Sequence, residues 1–173
     1  MNRRIVVAGV TAALLLSVEP ALQRVGLRVN LTASEPRGLY LTTERPWRRG
    51  SFVIFRFPPQ LSTIALQRGY AIAGAQPNAA MEGLKRVAAL PGDTVAVEPE
   101  GVIVNGVLWP ASMPLTHDSS GCQIRHYPFG VYRVRRAEVW LLSNNSRGWD
   151  SRYYGPLPLA NVLASAEPLL TFK

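Results

Sequence analysis

The chain has 173 residues, enough for one domain behind a short leader, and its 19 basic against 11 acidic side chains give a net charge of +8. With 47% apolar and 17% charged residues, it is too apolar and too weakly charged to be a disordered polyelectrolyte. A single cysteine, Cys122, and two histidines, His117 and His126, exclude an internal disulfide framework and multi-cysteine zinc motifs and leave little material for a His-based metal site or a Ser-His-Asp triad. No cofactor and no metal are therefore expected.

In chain order, Asn2-Arg3-Arg4 precede an uncharged run of fourteen residues, Ile5 to Val18, which Glu19-Pro20 closes. A helix of that length spans about 21 Å, short of a hydrocarbon core of about 30 Å but long enough for the apolar heart of a signal peptide. Residues 1–20 thus read as a signal or membrane-anchor segment. Arg3 and Arg4 hold its start in the cytoplasm and place residues 21–173 outside. The alternative, a buried core helix, fits poorly with a run apolar on every face directly behind a basic start.

Ser51 to Phe57 reads as a strand stopped by Pro58-Pro59, Leu61 to Tyr70 as a short helix with Gly69 near its end, and Gly74 to Gly83 as a loop. Leu84 to Leu90 is strand-like. Thr94 to Val97, Val102 to Val104 and Val107 to Trp109 follow as strands, with Asn105-Gly106 a two-residue hairpin signal between the last two. Pro110 to Gly130 is irregular. Val131 to Val134 and Val139 to Leu142 are strands, Leu157 to Ala166 is mixed, and Leu169 to Phe172 is a final strand. Fourteen glycines and fourteen prolines agree with short strands and many turns. The fold class predicted is mainly β: an antiparallel domain with few short helices behind an N-terminal apolar helix, residues 98–140 being a candidate subdomain insertion.

Two basic clusters, Arg45 with Arg48-Arg49 and Arg133 with Arg135-Arg136, suit either a solvated face or contact with anionic lipid headgroups. No aromatic-interleaved groove or helix-turn-helix pattern accompanies them, so no nucleic-acid partner is expected.

Lysine usage carries the chemistry. Only Lys85 and the terminal Lys173 are lysines; arginine supplies every other basic side chain. Arginine stays protonated in proteins, whereas a buried lysine can lose its proton. Lys85 lies in Leu84-Lys85-Arg86-Val87-Ala88-Ala89-Leu90, where burial would bring its pKa towards neutrality. A neutral amine can serve as general base to a serine nucleophile without histidine. Among eleven serines, Ser34 stands just beyond the apolar segment, in a turn framed by Pro36 and Gly38.

The string Lys85-Arg86-Val87-Ala88-Ala89-Leu90-Pro91-Gly92-Asp93 resembles the lysine box of type I signal peptidases. Arg49 to Phe55 resembles the strand before that box, and Asp150-Ser151-Arg152-Tyr153-Tyr154-Gly155 resembles the family's C-terminal box. The likeness runs over residues 30–172, with its motifs in order. Asn30-x-Thr32-x-Ser34-x-Pro36-x-Gly38-Leu39-Tyr40 departs from the general serine box and resembles the conjugative-transfer subgroup, the TraF peptidases. A second departure is Gly148, where general signal peptidases carry a serine that bonds the lysine; Asp150, Ser146 or Ser151 are candidates to orient the base instead.

The resemblance implies a Ser-Lys endopeptidase with Ser34 as nucleophile, Lys85 as general base, and Asp150 in the catalytic set. It implies an oxyanion hole built from the Ser34 backbone N–H and the Thr32 hydroxyl, the latter expected on the same side of a strand as Ser34. It further implies maturation of the propilin of a plasmid conjugation (type IV secretion) system, in some members with pilin cyclisation. Expected partners are a membrane-inserted propilin or other preprotein, inner-membrane lipid, and other proteins of the transfer apparatus. The catalytic domain would lie in the periplasm at the bacterial inner membrane.

Physical chemistry adds a constraint. A carboxylate touching Lys85 would favour the charged amine, so Asp150 is expected to pair with Arg152 or Arg86. Asp93 reads as a turn former and Cys122 as a free, partly buried thiol. The alternatives are a general type I signal peptidase, a non-catalytic assembly component of the transfer apparatus, and a self-cleaving repressor. The last lacks the DNA-binding domain it would need.

Overall fold

The computed structural model describes residues 22, 24–74 and 78–172. The expected apolar segment at residues 1–20 lies outside them. Among the described residues, no helix is long and apolar enough to cross a membrane.

The described elements are β1 (Leu27–Asn30), β2 (Arg37–Thr43), β3 (Phe52–Phe55), α1 (Pro59–Gln67), β4 (Gly83–Ala89), β5 (Thr94–Glu98), β6 (Gly101–Val104), β7 (Val107–Leu108), β8 (Gly130–Arg133), β9 (Glu138–Leu142), α2 (Ser151–Tyr154), β10 (Leu157–Pro158) and β11 (Val162–Phe172). All strand pairs are antiparallel. They form a seven-stranded sheet, in the order β1-β2-β11-β3-β4-β9-β10, and a four-stranded sheet, β7-β6-β5-β8. The protein is mainly β, as its alternating apolar runs and abundant turn residues require.

The smaller sheet spans residues 94–133 and packs where the larger one can bury it. Val95, Val97, Val102 and Val104 join Ala88, Ala89, Trp140 and Leu142 of β4 and β9 in one core. A second core gathers Val53, Phe55, Val87, Val139, Leu141 and Leu157. Asn105 and Gly106, with φ of +49° and +83°, make the β6–β7 hairpin turn that the Asn-Gly pair predicts. Asp93 accepts from the Leu90 backbone N–H at 2.7 Å and from Asn105 Nδ2 at 2.9 Å, as a turn former does.

Several boundaries differ from the sequence reading. The helix begins at Pro59, not Leu61, because proline's fixed φ suits a first helical turn as well as it ends a strand. Residues 157–172 are not a mixed segment and a short strand. After β10 and one 3-10 turn, β11 runs eleven residues. It pairs with β2 on one side and β3 on the other, and absorbs Pro168 in a bulge between Pro168 and Leu170. Gly38 sits where β11 crosses β2. Its φ is +145°, and an added Cβ would overlap the Leu170 carbonyl, so no other residue fits there. Cys122 is exposed, not partly buried.

Candidate active site

Ser34 lies in the β1–β2 connection, residues 31–36, which is a turn rather than the strand expected for Thr32 and Ser34. Asn30, buried at the end of β1, shapes it. Asn30 Nδ2 lies 3.0 Å from the carbonyls of Thr32 and Glu35 and 3.1 Å from that of Pro36. Its Oδ1 accepts from the Thr32 N–H at 3.2 Å and from Thr32 Oγ1 at 2.8 Å. Tyr40 OH donates to the Pro36 carbonyl at 2.7 Å. From the far side, Asn145 Nδ2 donates to the Ala33 carbonyl at 2.6 Å. Ser34 and Thr32 therefore stand side by side because an asparagine clamps the turn, with their hydroxyl oxygens 3.1 Å apart. The Thr32 proton is engaged by Asn30, so Ser34 is the donor in that pair.

Lys85 lies on β4, opposite Val53 of β3, and is 5% exposed. Burial lowers its pKa from 10.5 to about 8; Asp150 and Glu35 push it back up, and Arg152 pushes it down. Ser34, Thr32 and Lys85 all line one groove of about 510 Å³, together with Tyr40, Ile54 and Trp149. Among the described residues no hydrogen bond joins the Lys85 amine to Ser34, whose hydroxyl pairs with that of Thr32 at 3.1 Å.

Asp150 is fully buried and caps α2, accepting from the Arg152 backbone N–H at 3.1 Å. Its charge partner is Arg152, also fully buried, whose Nε and NH2 donate to it at 2.8 and 2.7 Å. Arg86 instead pairs with Glu35 at 3.4 Å. Arg152 further holds the carbonyls of Ala111, Asn145 and Ser146 at 2.8, 3.0 and 3.1 Å. The ion pair thus braces residues 143–148, the segment that reaches the Ser34 turn through Asn145.

Of the residues named to replace a serine at 148, Ser151 accepts from the Leu141 N–H at 2.9 Å and Ser146 is exposed. The hydroxyl that occupies this space belongs to Ser143. A Cβ on Gly148 would run into it, and it donates to Asp150 Oδ2 at 3.0 Å. Sequence reasoning missed Ser143, which follows a buried apolar run with no local sign of its role. It also missed Asn30 as a functional group, although it stands inside the serine box.

The family model "Signal peptidase, peptidase S26" matches residues 3–170. The chain belongs to that family. It is 38% identical over 171 residues to an Escherichia coli "Plasmid transfer protein TraF", covering 97% of this chain and 94% of the relative. It is 38% identical over 153 residues to a "Probable conjugal transfer protein TraF" of Sinorhizobium fredii, covering 85% and 78%. A "Conjugal transfer protein TraF" of Agrobacterium fabrum is 36% identical over 151 residues, covering 85% and 84%. Among solved structures, a signal peptidase I from Enterococcus faecalis is similar with a TM-score of 0.41 at 18% identity, covering 71% of this chain and 98% of that one.

Proposed function

We propose that the chain is a serine endopeptidase with a Ser34–Lys85 dyad that matures the propilin of a conjugative type IV secretion system. Its catalytic domain would work in the periplasm at the inner membrane, anchored by residues 1–20 or released if that segment is cleaved. The supporting observation is that Ser34 and a buried lysine of pKa about 8 line the same groove. The conjugal-transfer names of relatives matched over most of their length support the choice of substrate.

The residues present define the steps. Neutral Lys85 takes the Ser34 proton as Oγ attacks the scissile carbonyl. The C–N bond breaks, the leaving amine takes that proton from Lys85, and the acyl group stays on Ser34. Water, or an amine of the substrate held close, then displaces Ser34, the second route closing a ring. The Ser34 N–H and the Thr32 hydroxyl would hold the oxyanion, which requires Thr32 to turn its proton away from Asn30.

Thr32→Val is expected to fold, with a melting temperature a few degrees lower at most, and to lose about 100- to 1000-fold in kcat. An unchanged kcat would remove Thr32 from the oxyanion hole. The reading as a whole is tested by mass spectrometry of the pilin co-expressed with this chain or with Ser34→Ala. Propilin is expected to persist only with the variant, and a product one water lighter than the linear chain marks cyclisation. Equal maturation by both would sink the proposal. Cleavage of ordinary exported preproteins, with the propilin left intact, would favour a general signal peptidase.

A further inference from the structure

The long connection between β7 and β8, residues 109–129, forms a small hairpin at its middle. The Asp118 N–H donates to the Cys122 carbonyl at 2.9 Å and the Ile124 N–H to the Thr116 carbonyl at 3.0 Å. Of residues 116–123 only Asp118 is withdrawn from water, with 7% of its side chain accessible. Its Oδ1 accepts from the Ser120 and Cys122 N–H groups, both at 2.9 Å. Its Oδ2 accepts from Tyr70 OH at 2.6 Å and lies 3.4 Å from Arg68 NH1, which also donates to the Gln123 carbonyl at 2.8 Å. Arg68 caps the C-terminus of α1. Elsewhere on the loop, Arg147 NH1 lies 3.4 Å from Ser119 Oγ, and the Leu115 N–H donates to the Tyr153 hydroxyl at 3.2 Å.

These partners belong to the end of α1, to residue 147 and to α2, not to the four-stranded sheet from which the loop grows. Leu115, Asp118, Ser119 and Ile124 line the same groove as Ser34 and Lys85, and so do Arg68 and Tyr70. Loops beyond about 12–15 residues are usually functional or disordered, and this one is tied down at the groove. Withdrawing a carboxylate from water is costly unless donors meet it. A carboxylate that only shaped its own turn would have no need of Tyr70 and Arg68. We propose that residues 116–124 are a substrate-holding wall of the groove, laid along an extended peptide segment of the substrate, with Asp118 as the positioning residue that fixes the wall to α1. All four of its bonds go to protein donors, so Asp118 acts through the hairpin and not on the substrate. A wall fixed in advance spares binding the cost of ordering a loop. Ser34 and Lys85 are held by other elements, the β1–β2 turn and β4. The wall therefore governs how tightly substrate is held, not how fast it is cut.

The inference rests on the reading of the groove as a peptidase site, and its test separates the two. Tyr70→Phe removes the hydroxyl but keeps the ring that packs 5.2 Å from Trp149. With a synthetic propilin peptide spanning the processing site, its KM is expected about tenfold higher, the effect of one lost hydrogen bond. Its kcat should stay within about twofold, as when only uniform binding is removed. Asp118→Asn leaves the Tyr70 hydroxyl in place and should give the same split. The double variant should be no worse than either single one, because both release the same wall. Additive effects, an unchanged KM, or a loss confined to kcat would overturn the inference. A second measurement needs no turnover: hydrogen exchange of the full-length Ser34→Ala chain with and without the peptide. Residues 116–124 are expected to gain protection when peptide binds. A peptide that binds and leaves them unprotected overturns the inference while the dyad reading stands. A peptide that protects them in a chain that never cleaves it supports the wall and sinks the dyad reading alone.

Discussion

Replacing Lys85 by methionine is expected to abolish cleavage and at the same time make the protein harder to unfold at pH 7. The amine's pKa falls from 10.5 to about 8 on burial, so the folded state prefers it neutral. Below pH 8 both the folded and the unfolded chain hold the proton, and the folded state bears the whole cost of burying the charge. At roughly 1.4 kcal/mol per unit, that cost is about 3 kcal/mol. Between pH 8 and 10.5 only the unfolded chain still binds the proton, so stability of the unsubstituted protein rises with pH. Above 10.5 neither state does and the cost is gone. Lys85→Met should therefore melt higher than the parent at pH 7, with the difference closing as pH rises from 8 to 10.5. Lys85→Arg should be equally inactive and melt lower than the parent, because a larger, permanently charged group replaces one that can shed its charge. Removing a general base costs about 100- to 10,000-fold in rate. In the parent, kcat/KM should climb about tenfold per pH unit below 8 and level off above it. A methionine variant that melts below the parent at pH 7, or an arginine variant that still matures propilin, would contradict this account.

The burial of Lys85 and its lowered pKa are legible in the sequence, because one lysine stands in an apolar run of a chain that otherwise relies on arginine. The partner of Asp150 is legible for the same physical reason. A carboxylate next to that lysine would undo its basicity unless an arginine engaged it, and Arg152 is two residues away. What escapes a reading along the chain is whatever depends on residues brought together from distant elements. Period-two alternation puts Thr32 and Ser34 on one face of a strand. Asn30, with hydrogen bonds to both sides of the turn, instead folds the segment back and brings the two hydroxyls together by another route. Glu35, between a serine and a proline, carries no local sign of its burial, which accompanies its pairing with Arg86 from β4. Gly148 reads as a missing hydroxyl, whereas the space is filled by Ser143 from the end of β9. The length of β11 was hidden by Pro168, which a bulge accommodates without ending the strand.

Asp150→Ala should be among the most destabilising single substitutions among the described residues. Among the described residues it removes the only carboxylate within bonding reach of Arg152, leaving a fully buried guanidinium without its counter-charge. Breaking a buried pair from one side costs about 3–5 kcal/mol, and loss of the helix cap adds about 1 kcal/mol. For a chain of this size, a melting temperature lower by roughly 10 °C or more is expected. Ser143 would lose its acceptor at the same time, and the segment holding Asn145 against Ala33 would loosen, so activity should fall with stability. Asp150→Ala combined with Arg152→Met should recover part of the loss, because no unpaired charge then remains; a double-mutant cycle measures that recovery. The isosteric Asp150→Asn separates the brace from the electrostatics. Asp150 raises the Lys85 pKa, so the acid limb of kcat/KM should move to lower pH in whatever fraction of this variant folds. An Asp150→Ala protein with unchanged melting temperature would show that Arg152 finds its compensation elsewhere. An Asp150→Asn protein with an unmoved acid limb would confine Asp150 to holding residues 143–148 in place.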